Sequence, residues 1–357
     1  MNCNMKEQKE PENNRNDKEV KTLNFKELQE RAKGRNFDQI TVVSRDIFQE
    51  LANLSLVFPV VPGKVRTETE QNHPGLTVGK QEIAYTQMCT TIYYQNTSLQ
   101  VVQPVEGDTI YQRYLDRFGE GICCVRERIP GQMWDTTLAK LESKGINIAQ
   151  RMESPVCKAA WVDLTDTLGI LFEIITGESE TPDPNYVVPM RIAQINITTP
   201  DVRKTIETIT DLLEIGPWEV GCQNSKTVVD PGFRVDGRLQ NVDFSFLVAI
   251  LVCGNIEWEA IQPVKGPLVY FDFLKEHGIG YHHILREIPE KQWESTLQDY
   301  ERAGVELSCQ GKVGPVSWCY MNTKDKLGFF MELRTDSAMT KLPDGYLQYF
   351  YPEQTRD

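Results

Sequence analysis

The chain has 357 residues, 40% of them hydrophobic and 25% charged, with a formal net charge of −13 at pH 7. That is the composition of a soluble globular protein of about two domains, and the acidic balance argues against nucleic acid or an anionic membrane surface as a partner. No apolar run approaches the roughly 20 residues that span a bilayer, and nine scattered cysteines without a CxxC spacing fit a reduced, cytoplasmic protein.

The first stretch, MNCNMKEQKEPENNRNDKEV, mixes both charge signs with Asn and has no apolar core. It reads as a disordered tail rather than a secretory signal. A short helix is expected in TLNFKELQERAKG, so that residues 1–35 precede the first domain. That domain, 36–178, opens with the strand FDQITVVSRD. A polar, Pro-containing linker (179–187) leads to a second domain, 188–336. There QINITT reads as a strand and PDVRKTIETITDLL as an amphipathic helix opened by Pro and Asp. VDFSFLVAILV and NIEWEAIQPV follow as strands around a Cys-Gly-Asn turn. YHHILREI, the helix EKQWESTLQDYERAG, VSWCYMNT and GFFMELRT then repeat the series. The tail 337–357 carries Tyr346, Tyr349, Phe350 and Tyr351, and is expected to dock on a domain or on a neighbouring subunit. A homodimer is compatible with it.

The two domains are copies. Gln103 and Gln262, Pro104 and Pro263, Gly121 and Gly280, Trp134 and Trp293, and Glu173 and Glu332 are each 159 residues apart, with no gap over roughly 75 residues. Gln39 and Gln194 are 155 apart, so a four-residue slip lies in the loops between. Each domain therefore holds two βαβββ modules, and the fold class is α+β.

The sequence at this point resembles the vicinal oxygen chelate superfamily, which includes glyoxalase I, methylmalonyl-CoA epimerase and the extradiol dioxygenases. EAIQPVKG, GIGYHHI, MEL and EIGPWEV resemble segments of its epimerase-like and glyoxalase I branch. The resemblance implies two tandem domains of this kind and a metal held by Gln194, Glu259, His283 and Glu332 in the second. Neighbouring side chains in a strand point to opposite faces, so His282 is expected to turn away from a site that includes His283. Two carboxylates, one imidazole and one amide suit a single divalent ion: Zn, Mn, Co, Ni or Fe. A histidine pair in a strand is, on its own, most simply structural, and Glu259 could face solvent or give way to Glu257. It is the coincidence of all four positions that points to a site. The matching positions of the first domain are Gln39, Gln100, Cys124 and Glu173, a poor metal set, so that site is expected to be degenerate.

The resemblance implies an enzyme acting on a small carbonyl compound. The expected reaction is that of a metal-dependent isomerase, epimerase or racemase, moving a proton α to a carbonyl through a metal-stabilised enolate, with Glu332 and Glu259 as the proton carriers. A glyoxalase I-like lyase, a metal-free binding protein and an Fe(II) dioxygenase are the alternatives. Gln194 stands against the last, since it occupies the place of a second histidine.

Overall fold

The structure, a computed structural model, describes residues 23–61, 63–178, 181–228, 234–235, 238–239, 243–338 and 343–354. The disordered tail expected at the start falls mostly on residues 1–22, outside the described residues. The helix after it is Phe25–Lys33, closed at its start by a capping box in which Asn24 and Glu27 satisfy each other's backbone.

Among the described residues two eleven-stranded mixed sheets follow, one from each half of the chain, and helices lie against them. The fold is α+β. In the second sheet the strand Ile192–Thr198 is central. It runs parallel to Ile256–Lys265 on one side and antiparallel to Gly280–Ile288 on the other. Gly280–Ile288 in turn runs parallel to Phe330–Thr335. The first sheet has the same pattern around Phe37–Val43, flanked by Ser98–Glu106 and Gly121–Arg128. Each module follows the order that the sequence predicts. Strand Ile192–Thr198 leads into helix Val202–Leu213, whose N-cap Asp201 accepts from the Lys204 amide and whose buried residues Val202, Ile206, Ile209 and Leu213 recur at helical spacing.

The two halves meet around a pseudo-twofold axis. Asn96 and Asn255, 159 residues apart, donate to each other's carbonyl oxygens at 2.9 and 2.7 Å. Each also accepts from the first strand of the opposite half, Asn96 from Ile192 and Asn255 from Phe37. Phe37 and Trp258 pack edge to face beneath this clasp, 5.2 Å between ring centres. At the far end the backbones touch through glycines. A Cβ on Gly169 would lie 1.7 Å from the Ile279 carbonyl oxygen, and one on Gly328 would lie 2.0 Å from that of Glu120. Both glycines have positive φ, so the close approach and the turn impose the same choice.

Among the described residues no helix is long and apolar enough to cross a membrane. The C-terminal tail docks on its own chain. Leu347–Tyr351 adds an edge strand to Trp218–Asn224, and Arg203 lies over the rings of Tyr349 and Tyr351.

Candidate metal centre

Strand alternation sends Gln194, Asn196 and Thr198 to one face of Ile192–Thr198, and Glu257 and Glu259 to the same side of the neighbouring strand. All are buried or nearly so. Glu259, 6% exposed, is therefore not the solvent-facing member of its strand, and Glu257 points inward beside it. His283, fully buried, enters from the third strand and Glu332 from the fourth.

The ligand atoms of Glu259, His283 and Glu332 lie within 4.8 Å of one another. His283 Nε2 stands 2.8 Å from Glu332 Oε2 and 3.2 Å from Glu259 Oε2. These approaches are short but lack the angles of hydrogen bonds, and His283 Nε2 and Glu332 Oε2 both remain without a hydrogen-bond partner. Gln194 Oε1 is likewise buried without one, while its Nε2 donates to Glu257. Buried polar atoms are ordinarily satisfied. Buried donors gathered this closely and left without partners are what a metal site presents, and the donor types suit one divalent ion.

Electrostatics agrees. Burial raises the Glu259 carboxyl above its usual range and Glu332 adds to this, while His283 and Asn196 oppose it. Burial alone would lower His283, but Glu332 and Glu259 outweigh it and push the imidazole up to about 9. A dication between these groups relieves the carboxylate repulsion that the proton otherwise has to offset.

The surrounding groups hold the ligands in place. Asn196 Nδ2 donates to Glu259 Oε2 at 2.9 Å. The register of Gly280–Ile288 slips by one residue against Asn196 and Ile197, so that His282 is the extra residue of a β-bulge. His282 therefore does not turn away as strict alternation predicts. Its ring stacks on Phe330, and its Nδ1 meets the Nδ1 of His283 at 2.9 Å. Such a bond fixes the His283 ring with its Nε2 toward the carboxylates. Asn196 and His282 were missed in the sequence. Alternation from Gln194 could have found the first, but no sequence signal marks the second.

The donors open on a cavity of about 390 Å³ lined by Phe246, Tyr270, Trp318, Tyr320 and Tyr346. The hydroxyls of Tyr270 and Tyr320 share a 2.8 Å hydrogen bond. Of the other strand aromatics, Trp258 and Tyr281 are wholly buried core residues.

The first half lacks such a centre. Gln39 Nε2 donates to Gln100 Oε1 at 3.0 Å, so the two amides at ligand-equivalent positions satisfy each other. Burial holds the thiols of Cys123 and Cys124 well above their usual pKa, which keeps them from acting as thiolates. Glu173 stands among Arg126, Arg128 and Asp38. Among the described residues, Glu259, His283 and Glu332 form the one cluster with metal-ligating potential.

Residues 193–320 match the model of the Glyoxalase/Bleomycin resistance protein/Dioxygenase superfamily. The match falls within the second domain. No curated protein sequence matches the chain. Among solved structures, a triple mutant of 4-hydroxymandelate synthase from Streptomyces coelicolor superposes with a TM-score of 0.60 at 12% identity, over 86% of this chain and 94% of the other. A halotolerant catechol dioxygenase, BphC, superposes at 0.48 and 13% identity, over 90% and 95%. At such identities the likeness is one of fold.

These comparisons correct the expected isomerase or epimerase. The solved chain that shares the tandem frame at a TM-score of 0.60 is named a 4-hydroxymandelate synthase, not an isomerase or epimerase. A module motif carries the ligand frame and not the reaction.

Proposed function

We propose that the chain is a metal-dependent dioxygenase that uses a single ferrous ion and acts on a small molecule offering oxygen donors to the metal. The observation that carries this reading is the convergence of His283 Nε2, Glu259 Oε2 and Glu332 Oε2 on one side of an aromatic cavity, with His283 Nε2 and Glu332 Oε2 lacking a hydrogen-bond partner. It rests also on the tandem frame shared with 4-hydroxymandelate synthase and on the dioxygenase membership of the matching superfamily.

His283, Glu259 and Glu332 would hold the ion, with the Gln194 amide oxygen as a fourth donor. A bound ferrous ion supplies the one-electron chemistry that joins dioxygen to an organic substrate. Three ligands on one side leave the cavity side for the reactants. Asn196 and His282 fix the ligand orientations, while the five aromatic side chains exclude water and flank a planar substrate. The Tyr270–Tyr320 hydroxyl pair offers a proton donor on the cavity wall.

The test is anaerobic loading of the full chain with Fe²⁺, followed by oxygen uptake and ¹⁸O₂ incorporation across a panel of catechols and hydroxylated aromatic ketones. Product carrying oxygen from ¹⁸O₂ is expected. A second reading, a glyoxalase I-like lyase, draws on the Gln194, Glu259, His283 and Glu332 set itself. Turnover of a glutathione adduct with Zn²⁺ or Ni²⁺ and no oxygen would select it and reject the dioxygenase.

A further inference from the structure

The cavity carries more carboxylates than a metal needs. Glu259 and Glu332 offset a divalent ion. Glu257, Glu287 and Asp336 line the same cavity, and Arg334 is the one cation among its described lining residues. Three acids against one arginine leave an excess of acidic side chains around the substrate space with the metal in place.

Arg334 is also spoken for. Its Nη1 donates to Glu257 Oε1 at 2.8 Å and its Nη2 to Glu287 Oε1 at 3.1 Å. Glu257 is further tied by Gln194 Nε2. To grip a substrate carboxylate, Arg334 would have to release Glu257 and leave it buried without its charge partner, which is strongly unfavourable. The first half of the chain makes the contrast. At the position of Glu287 it carries Arg128, and at that of Arg334 it carries Ile175, both lining its corresponding cavity. The first cavity also holds acids, Asp38, Glu68, Glu173 and Glu178, but Arg66, Arg126 and Arg128 stand against them, so the larger excess of acid belongs to the half with the metal donors.

We propose that this cavity selects uncharged or positively charged aromatic chelators and turns carboxylates away, with the Glu257–Arg334–Glu287 clamp as the element that sets the selection. It rests on the metal site of the proposed function, but not on its reaction. With Glu257 and Glu287 each held by one of its Nη atoms, Arg334 has its charge offset before an anion arrives, and the surrounding acidic side chains oppose the entry of one. The ring walls of Phe246, Trp318 and Tyr346 accept a flat body of either allowed charge.

The test uses three compounds with the same chelating ring: 4-methylcatechol, dopamine and 3,4-dihydroxybenzoate. Binding to the full chain loaded with redox-inert Zn²⁺ is followed without oxygen by calorimetry and tryptophan fluorescence. The uncharged and cationic compounds are expected to bind at least tenfold more tightly than the acid. Glu287→Gln, on the half-exposed rim where the fold tolerates it, frees one fork of Arg334 and should shrink that difference at least threefold. Equal or tighter binding of the acid by the unaltered chain overturns the proposal, as does binding of none of the three. A difference that Glu287→Gln leaves unchanged removes the clamp as its cause. Because no oxygen and no redox metal take part, selectivity without later oxygen uptake by the Fe²⁺ protein would reject the dioxygenase and leave this inference standing.

Discussion

His282 and His283 are consecutive in one strand, yet their Nδ1 atoms lie 2.9 Å apart. A regular strand forbids this, and the bulge at His282 permits it. Burial and the neighbouring His283 hold His282 well below its usual pKa, so it is a neutral ring among Phe273, Phe330 and Tyr270. It acts on the ligand, not as one. His282→Phe keeps the aromatic packing and removes the Nδ1 contact. Metal affinity, measured by competition with a chromophoric chelator, should fall about 10- to 100-fold, whereas His283→Ala should abolish tight binding. Unchanged affinity in His282→Phe would show that the contact does not orient His283.

The chain should carry one metal equivalent. The Gln39–Gln100 pair and the neutral thiols leave the first half without a ligand set. Elemental analysis after dialysis should therefore give one divalent ion per chain, and Gln39→Ala should not change it. Two equivalents, or a loss on that substitution, would restore a site to the first half.

Much of this plan can be read from the residues. The 159-residue offset exposes the duplication because insertions between equivalent strands are rare once both halves must clasp each other, as Asn96 and Asn255 do. Alternation and motif place Glu259, His283 and Glu332, which the structure brings together. The bulge could not be read, because one extra residue in a strand leaves the local pattern of apolar and polar side chains almost unaltered. The Glu257–Arg334–Glu287 clamp depends on the pairing of three strands, which no local window contains. The reaction was misread for a related reason. A short ligand-bearing segment can be shared by proteins of different reactions, because the chemistry depends on the whole site and not on one motif.

Glu173 makes a pH-dependent contribution to stability. Burial raises its pKa from 4.5 to about 7, and Asp38 adds to this against the opposing Arg126 and Arg128. The folded state thus favours the protonated acid. The stabilisation is full below about pH 4.5 and is lost as pH rises through about 7, in total about 3 kcal/mol by linkage. Glu173→Gln keeps the neutral shape at all pH values. In urea unfolding it should match the unaltered chain near pH 5 and exceed it by up to about 3 kcal/mol at pH 8, with metal content unchanged. An equal difference at both pH values would assign Glu173 a role other than this titration.

The C-terminal segment is seated by a missing side chain. Tyr346 lines the metal cavity, and its carbonyl oxygen accepts from the Cys222 amide at 2.8 Å. Its ring occupies the space over Gly221, where a Cβ would lie 2.4 Å from both Cε1 and Cζ. Gly221 has no left-handed backbone to defend, so room for the ring is the reason for glycine. Gly221→Ala should push Tyr346 out, open the cavity to solvent and loosen the edge strand Leu347–Tyr351. Limited proteolysis should then cut the tail several-fold faster, and affinity for cavity ligands should fall. Tyr346→Ala alone removes the wall but also removes the clash, so adding Gly221→Ala to it should cost almost nothing further. That non-additivity is the decisive readout, since a coupling of about 1 kcal/mol or more is expected for residues in direct contact. If the two effects simply add, Gly221 serves the strand for another reason and the tail is held without it.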